Sequence, residues 1–451
     1  MDVQLRGVAF IPMHKCRGLS PLFGKMAKSK ELLQRESESN TQSQDAFTAG
    51  VQDIAPAETN RYAKNIRLAE AQVGLAFFAF ILIGANDGAL GVLIPSMRLH
   101  YGVDKSTIGL LFLFQTIGYL IAAFNSGLLV ERLGNRRFLV LGASSFLLGV
   151  GALSLMPSYI IVLLMMLPLG FGVAIIDAGL NTYIASKPRN AALLNYLHAF
   201  YGTGALLGPV IASAILAMRL GWNSVYIVWI GMSLVLLAGF RLAFKEQNSL
   251  PPEHVAKPGS NVLAATLRVP LVWIAALFML IYVGAEVSIG SWSYSFLTEE
   301  RHAPILLAGW MVSGYWIGLT LGRFTLARVA LRVRNKRLIQ GCFVGVITGV
   351  LLVWLLPSFV ASAPGLVLIG FSFGPIYPTT IAFISNRVSK RILPSAIGFL
   401  ASLGSVGAAI FPWLAGMLAQ YIGLWSLMPY VILFTVAMAG LWQVLNARVT
   451  Y

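Results

Sequence analysis

Twelve long apolar runs dominate this sequence and limit what it can fold into. Each provides the roughly 20 apolar residues that a helix needs to cross the hydrocarbon core of a bilayer. The 451 residues are 57% hydrophobic and 11% charged, whereas a soluble protein carries about a quarter charged residues. We therefore predict an all-α membrane protein with twelve transmembrane helices. The predicted spans lie near residues 72–97, 107–130, 137–157, 159–186, 196–218, 223–244, 271–297, 305–330, 337–356, 359–385, 395–419 and 425–447.

Polar segments flank the spans and divide them. Residues 1–70 are polar and rich in Ser, Glu, Gln and Asn over much of their length, which predicts a disordered cytoplasmic tail; a regulatory or trafficking segment is the alternative. Residues 245–270, with four prolines and mixed charges, predict a cytoplasmic linker. The expected domains are therefore the tail, a six-helix half at 71–244, the linker, a six-helix half at 271–447, and a short C-terminus at 448–451.

Basic residues in the loops predict the orientation of the spans. If the N-terminus lies inside, the inner loops, helix ends and C-terminus hold eighteen Lys or Arg, and the outer loops hold four, Arg98, Lys105, Arg219 and Arg301. Cytoplasmic loops of membrane proteins carry such an excess, so both termini are expected to be cytoplasmic. The same distribution accounts for most of the net charge of +16. No nucleic-acid partner is expected, because the basic residues do not form the patch that nucleic acid requires.

A repeat with a constant offset of 200 residues relates the two halves. It aligns Gly84-Ala85 with Gly284-Ala285, Ile117-Gly118 with Ile317-Gly318, Asn135-Arg136-Arg137 with Asn335-Lys336-Arg337, and Gly170-Phe171 with Gly370-Phe371. A single match of small or apolar residues is weak evidence, but one offset serves four helices and a loop. Two six-helix pseudo-repeats of the same orientation predict a cavity between the halves.

Three acidic residues fall inside the predicted spans: Asp87, Asp177 and Glu286. An ionised side chain at the centre of a bilayer costs about 3 kcal/mol on insertion scales, so each acid is expected to face the bundle interior or a hydrated cavity. Asp87 and Glu286 lie at the same depth in equivalent helices of the two halves. We therefore predict that these acids bind substrate or protons. A purely structural hydrogen bond is the alternative for each of them.

Polar side chains near these acids complete the predicted binding set. They are Asn86, Asn181, His198 and Trp292. Asn181 lies four residues after Asp177 and shares its helical face; that pair could hold a hydroxyl group, pass on a proton, or join the fourth helix to the first. Histidine titrates near neutral pH, although an ordinary interfacial role is an equal alternative for His198. Arg323 could pair with an acid, but the arginines that follow it favour extension towards the membrane surface.

The sequence lacks the motifs of an enzyme. It contains no Walker A loop, no HExxH and no nucleophile elbow. Its two cysteines, Cys16 and Cys342, lie far apart in a polar tail and an apolar span, which argues against a disulfide or a metal site. We therefore expect neither enzymatic activity nor a cofactor or metal, and transport or another membrane role follows by elimination.

The loop between the second and third spans carries a family motif. Residues 127–137, GLLVERLGNRR, resemble the major facilitator superfamily motif G-x-L-a-D-r-x-G-r-r. The matching positions are Gly127, Leu129, Arg132, Gly134 and Arg136. Glu131 replaces the Asp of the motif, and Asn135 replaces a basic residue. The resemblance implies an inner gate formed by Glu131 and the basic residues; a role in topology alone is the alternative, and both roles can hold.

A finer resemblance covers nearly the whole stretch from 72 to 447. Its segments are GANDGALG at 84–91, DAGLNTYI at 177–184, LHAFYGTGALLGP at 197–209, EVSIGSW at 286–292 and FGPIYPT at 373–379. Together they are similar to the fucose–proton symporter-like branch, and more closely to its fungal bypass-of-stop-codon members. In that branch, acids of the first and fourth helices are implicated in substrate and proton handling, which implies these roles for Asp87 and Asp177. The long polar tail departs from the bacterial members, so their substrate does not carry over.

These observations predict a secondary-active transporter that moves a small organic solute by alternating access, with proton symport or antiport. The solute is expected to be sugar-like or a secondary metabolite. Two alternatives stay open: an efflux transporter of a fungal secondary-metabolite gene cluster, and a non-transporting membrane nutrient sensor. The expected partners are the solute, protons and the lipid bilayer, with the chain acting as a monomer. The plasma membrane is the expected location, and the vacuole or another membrane is the alternative.

Overall fold

The computed structural model describes residues 56–187, 190–244, 261–330, 333, 335–356 and 358–447. Throughout these residues the protein is all-α, with no β-strand. The helices are α1 (Pro56–Tyr101), α2 (Lys105–Ile108), α3 (Leu110–Ser154), α4 (Tyr159–Ala185), α5 (Asn190–Ala217), α6 (Asn223–Ala243), α7 (Asn261–Leu267), α8 (Pro270–Ser295), α9 (Ile305–Ala330), α10 (Asn335–Leu355), α11 (Phe359–Phe373), α12 (Ile376–Ser385), α13 (Leu393–Tyr421) and α14 (Leu427–Ala447). A π-helical turn, Phe296–Glu300, extends α8, and a 3₁₀ turn, Leu424–Ser426, precedes α14.

Eleven helical stretches of the described residues are long and apolar enough to cross a membrane, and one of them supplies two predicted spans. Lys105–Ser154 forms this 50-residue stretch, where we expected separate helices at 107–130 and 137–157. Its backbone leaves the helical conformation at Gly134, whose φ of 71° and ψ of 161° are accessible almost only to glycine. One glycine therefore takes the place of the expected loop, and twelve apolar segments remain.

The polar segments are described only in part. Residues 1–55 of the predicted tail, residues 245–260 of the predicted linker and the C-terminal residues 448–451 lie outside the described residues. α1 begins at Pro56, inside the region where we expected tail, and α7 occupies the end of the expected linker. The chain divides into two compact units, Met1–Ala69 and Glu70–Tyr451, and every contact described below lies within the second.

Close helix contacts repeat with the same 200-residue offset that relates the two halves of the sequence. α3 meets α4, and α9 meets α11, at glycines where a Cβ atom would overlap a carbonyl oxygen of the facing helix. The pairs are Gly118 with Leu167, Gly170 with Gln115, Gly318 with Val367, and Gly370 with Tyr315. Small residues permit such backbone approach between membrane helices. The predicted pseudo-repeat is therefore confirmed by the packing.

The two halves contact each other most closely at one end of the bundle, which we name the Arg98 end; the other end, where α3 breaks, is the Gly134 end. α5 packs against α9, and the Ser313 hydroxyl donates to the carbonyl oxygen of Leu206 at 2.7 Å. α1 approaches α8 at Gly91, and α2 and α3 pack against α13. These contacts bring both halves around a common space.

Candidate functional site: the cavity between the halves

A cavity of about 300 Å³ lies between the two halves. Its walls come from α1, α3, α4 and α5 of the first half and from α8, α9 and α13 of the second. Its charged and hydrogen-bonding residues include Asp87, Gln115, Tyr201, Glu286 and Arg323, so the equivalent acids of the two halves share one space. Across the described residues, no three His, Cys, Asp or Glu side chains are grouped so as to hold a metal ion.

Neutral side chains surround Asp87. Its carboxylate accepts hydrogen bonds from the Tyr201 hydroxyl at 3.1 Å, the Gln115 amide at 3.3 Å and the Asn86 amide at 3.4 Å. Within the described residues, no basic side chain forms an ion pair with it. α5 can bring Tyr201 this close because Gly84 lies against the Tyr201 carbonyl oxygen, where a Cβ atom would overlap it. The glycines around Asp87 thus allow the approach of the helix that binds it.

Asp177 lies behind the cavity wall rather than on it. Tyr119, which lines the cavity, donates its hydroxyl hydrogen bond to Oδ2 of Asp177 at 3.4 Å. The Asn181 amide donates to Oδ1 of the same carboxylate at 2.9 Å. This cluster joins α4 to α3, whereas one interpretation of the sequence joined α4 to α1. Tyr119 is therefore the connection between Asp177 and the cavity.

Glu286 forms an ion pair with Arg323 of α9. Nη2 of Arg323 lies 3.4 Å from Oε1 of Glu286, and the two side chains are 36% and 10% exposed. The expectation that Arg323 extends towards the membrane surface is therefore wrong, because an acid on the neighbouring helix can neutralise it inside the bundle. The second half presents a paired acid to the cavity. In the described residues, Asp87 of the first half has no such cation.

His198 and Trp292 do not line the cavity. Trp292 is fully buried and donates its indole N–H to the carbonyl oxygen of Pro412 at 2.8 Å, which fixes α8 against α13. His198 is exposed, and its ring lies edge-on to Phe80 with the centroids 5.7 Å apart. The structure therefore places Trp292 in the packing between two helices and His198 beside α1.

Most residues of the cavity wall were not predicted from the sequence, among them Gln115 and Tyr119 on α3 and Trp316 on α9. Gln115 and Tyr119 lie four residues apart in the otherwise apolar run LFLFQTIGYL, and this spacing of polar groups on one helical face was the available signal. Trp316 is 7% exposed, and its indole N–H has no hydrogen-bond partner among the described residues. It gives no signal in the sequence, because a tryptophan in an apolar span serves packing as readily as binding.

The motif at residues 127–137 lies at the Gly134 end. Glu131 and Arg132 are exposed, and neither forms an ion pair with another residue of the described part of the chain. Gly134 is the break in α3, and Arg136 lines a separate surface pocket beside α6. The role of the motif as a gate stays a prediction.

A cluster of ion pairs, which we name the Arg98 clasp, joins the halves at the Arg98 end. Glu299, in the π-helical turn after α8, accepts from Arg98 at 3.0 Å and lies 3.1 Å from the ammonium group of Lys105. The backbone N–H of Lys105 donates to the Gln420 side chain at 3.0 Å. Both basic residues belong to the first half, while Glu299 and Gln420 belong to the second. These polar contacts therefore join the two halves at the Arg98 end.

Comparison with known families identifies the class of protein to which this fold and cavity belong. The sequence profile of the Major Facilitator Superfamily matches residues 76–304 and 274–449. The chain belongs to the Major Facilitator Superfamily. With eleven apolar helical stretches among its described residues, it is an integral multi-pass membrane protein, and it is a transporter rather than an enzyme, as the sequence predicted.

Individual relatives have low identity but long coverage. Bypass of stop codon protein 6 of Saccharomyces cerevisiae is 24% identical over 395 residues, which cover 80% of this chain and 79% of that protein. The glucose/mannose transporter GlcP of Bacillus subtilis is 23% identical over 376 residues, which cover 80% and 89%. These matches confirm the resemblance to the bypass-of-stop-codon proteins.

Solved structures share the fold. A mutant of the nucleoside transporter NupG gives a TM-score of 0.72 at 14% identity, over 84% of this chain and all of that one (100%). A mutant of the fucose:proton symporter FucP of E. coli gives a TM-score of 0.56 at 16% identity, over 83% of this chain and 98% of that one. The predicted fold and its resemblance to the fucose symporter are thereby confirmed.

Proposed function

We propose that this protein carries a small, neutral, polyhydroxylated solute across the membrane together with protons, by alternating access. One observation carries the proposal: Asp87 lies on the cavity with neutral hydrogen-bond donors around it, whereas Glu286 is paired with Arg323. An acid without a cation partner is expensive inside a membrane bundle and is typical of proton relays and substrate sites. Asp87 is therefore the proton carrier of this proposal.

Protonation of Asp87 changes the hydrogen bonds that the cavity offers. The ionised carboxylate only accepts hydrogen bonds, while the protonated carboxyl also donates one. Protonation weakens the hydrogen bonds that Asp87 accepts from Tyr201 and Gln115. The donor groups of these two side chains then become available to the hydroxyl oxygens of a solute. Solute binding and protonation then favour each other, as coupling requires. Tyr119 connects the cavity to Asp177, which serves as a second proton site.

The cavity favours a compact solute with hydroxyl groups. Its volume of about 300 Å³ is at the small end of the range of about 300–1,000 Å³ for ligand pockets. Gln115, Tyr201 and Ser405 offer neutral hydrogen bonds. The charge of Arg323 is already balanced by Glu286, so an anionic solute would lack a partner. Two relatives are named as glucose/mannose and fucose transporters, which supports a sugar-like solute.

In this proposal the Gly134 end faces the cytoplasm, together with both termini. Arg132 and Arg136 lie beside the break at that end, in keeping with the excess of basic residues on cytoplasmic loops. The Arg98 clasp then closes the outer side, and the gate motif around Glu131 closes the inner side in the alternate state. One chain forms the whole cavity, so a monomer is sufficient. The plasma membrane is the proposed location.

Transport assays in proteoliposomes test the proposal. Uptake of D-glucose, D-mannose and L-fucose is measured with and without a proton gradient, in the wild type, in Asp87→Asn and in Asp104→Asn. Asp104 caps α2 at the Arg98 end and lies outside the cavity, so its variant is the control. We expect Asp87→Asn to lose proton-driven accumulation and keep solute counterflow, and Asp104→Asn to keep both. Equal accumulation by wild type and Asp87→Asn would refute coupling through Asp87, and no uptake of any of the three sugars would refute the solute class.

A further inference from the structure

We propose that a pocket between α3 and α6, at the Gly134 end, binds the headgroup phosphate of an anionic phospholipid. The pocket has a volume of about 500 Å³ and lies apart from the central cavity. Three arginines line it: Arg136 and Arg137 on α3, and Arg241 in the last turn of α6. Of the remaining lining residues, Val140, Leu141 and Ser144 come from the part of α3 that follows the break at Gly134, and Leu133 directly precedes the break.

The lining residues of α3 that follow the break form one helical face. Arg136, Arg137, Val140, Leu141 and Ser144 have the spacing of three and four residues that places side chains on the same side of a helix. α6 runs beside this part of α3. At the ends of the two helices that lie away from the pocket, the Asn223 amide donates to the carbonyl oxygen of Ser154 at 3.1 Å. The pocket is therefore built by two adjacent helices at the point where both reach one end of the bundle.

Its charge is suited to a phosphate group. Arg137 and Arg241 are exposed and Arg136 is half-buried, and none of the lining residues is acidic. A guanidinium group binds phosphate oxygens with two parallel hydrogen bonds. Basic pockets between membrane helices on the cytoplasmic side are the sites where anionic lipid headgroups bind.

The apolar part of the pocket distinguishes a lipid from a free phosphate ion. Leu133, Val140 and Leu141 line the same pocket as the three arginines. At 1.5 Å per residue, the face from Arg136 to Ser144 is about 12 Å long, which accommodates a glycerol backbone and the first part of an acyl chain. Leu242, next to Arg241, is 83% exposed, as expected of a residue that contacts lipid. A free phosphate ion would leave this apolar face unused.

Native mass spectrometry of the detergent-purified protein tests the lipid site, with phosphatidylinositol, phosphatidylcholine and inorganic phosphate as the probes. The test variant is Arg241→Gln. The control is Arg391→Gln, which removes the same charge from an exposed arginine that does not line the pocket. The measurement involves no transport, so its outcome is independent of the proposed function.

We expect the wild type to bind phosphatidylinositol more tightly than phosphatidylcholine. Arg241→Gln should weaken the binding of phosphatidylinositol about fivefold, the effect of one basic charge near an anionic headgroup, and Arg391→Gln should leave it unchanged. Equal binding of the two lipids, or equal losses in the two variants, would overturn the proposal. If inorganic phosphate binds as tightly as phosphatidylinositol, the pocket recognises a free anion and the lipid assignment is wrong.

Discussion

Neutralising Glu299 should open the Arg98 end of this transporter. Glu299 is the acid shared by both ion pairs of the Arg98 clasp, with Arg98 at 3.0 Å and Lys105 at 3.1 Å. Because the pairs connect the two halves, they exist only while this end is closed. Glu299→Gln removes their charge attraction and keeps the shape of the side chain, so it should raise the population of molecules that are open at the Arg98 end.

The size of the effect follows from the exposure of the pairs. The side chains of Arg98 and Lys105 are 21% and 16% exposed, and that of Glu299 is 32% exposed. Partly exposed ion pairs contribute about 0.2–1 kcal/mol each, so the two together favour the closed end by about 1 kcal/mol. That free energy corresponds to a roughly fivefold change in the ratio of open to closed molecules.

Spin-label distance measurements can detect this change. One label is placed at Leu99, 87% exposed on the first half, and the other at Tyr421, 78% exposed on the second half, after replacement of Cys16 and Cys342. Glu300→Gln is the matched control, since Glu300 is an exposed neighbour that forms no ion pair with other described residues. We expect the fraction of molecules with a longer distance between the labels at Leu99 and Tyr421 to increase in Glu299→Gln and to stay unchanged in Glu300→Gln. The same distance distribution in both variants would refute the reasoning.

Two further substitutions test the packing. Arg323→Gln should lower the free energy of unfolding by about 2 kcal/mol, measured by chemical unfolding. This is less than the roughly 3–5 kcal/mol for breaking a fully buried pair, because the Arg323 side chain is 36% exposed. Adding Glu286→Gln should restore most of the lost stability, since no unpaired charge then remains. Gly134→Ala should cost about 1–3 kcal/mol through its positive φ, seen as a lower melting temperature, whereas Gly127→Ala, with open space around it, should cost nothing.

The course of the chain through the membrane could be predicted from the sequence because it depends on a local property. Backbone groups in lipid must form their hydrogen bonds within the helix, so each span appears as an apolar run of sufficient length. The 200-residue repeat then established the two halves. The missed detail was the connection at Gly134, because a single residue in a left-handed conformation can join two spans without a visible loop.

The rotation of each helix about its axis could not be predicted, so the sequence left open which of the predicted site residues would line the cavity. Asp177 and Asn181 share one face of α4, but the sequence does not show whether that face meets the cavity or a neighbouring helix. Asp177 was predicted to bind substrate or protons; the structure places it behind Tyr119, and its role stays a prediction. Trp292 was predicted to bind substrate, but its indole N–H donates to the carbonyl oxygen of Pro412. Pro412 belongs to α13, which is distant from α8 in the sequence and packs against it. Asp87 could be placed correctly because a charge in a span has few other tolerable positions.

Infrared difference spectroscopy of carboxyl groups between acidic and alkaline pH tests the central claim most directly. It reports whether Asp87 takes up a proton, and it needs no knowledge of the solute. The account predicts a carboxylic-acid signal in the wild type that loses its Asp87 component in Asp87→Asn, where the component of Asp177 remains, and that keeps both components in Asp104→Asn. If the bands of Asp87→Asn and the wild type are identical, Asp87 carries no proton and the proposed coupling is wrong.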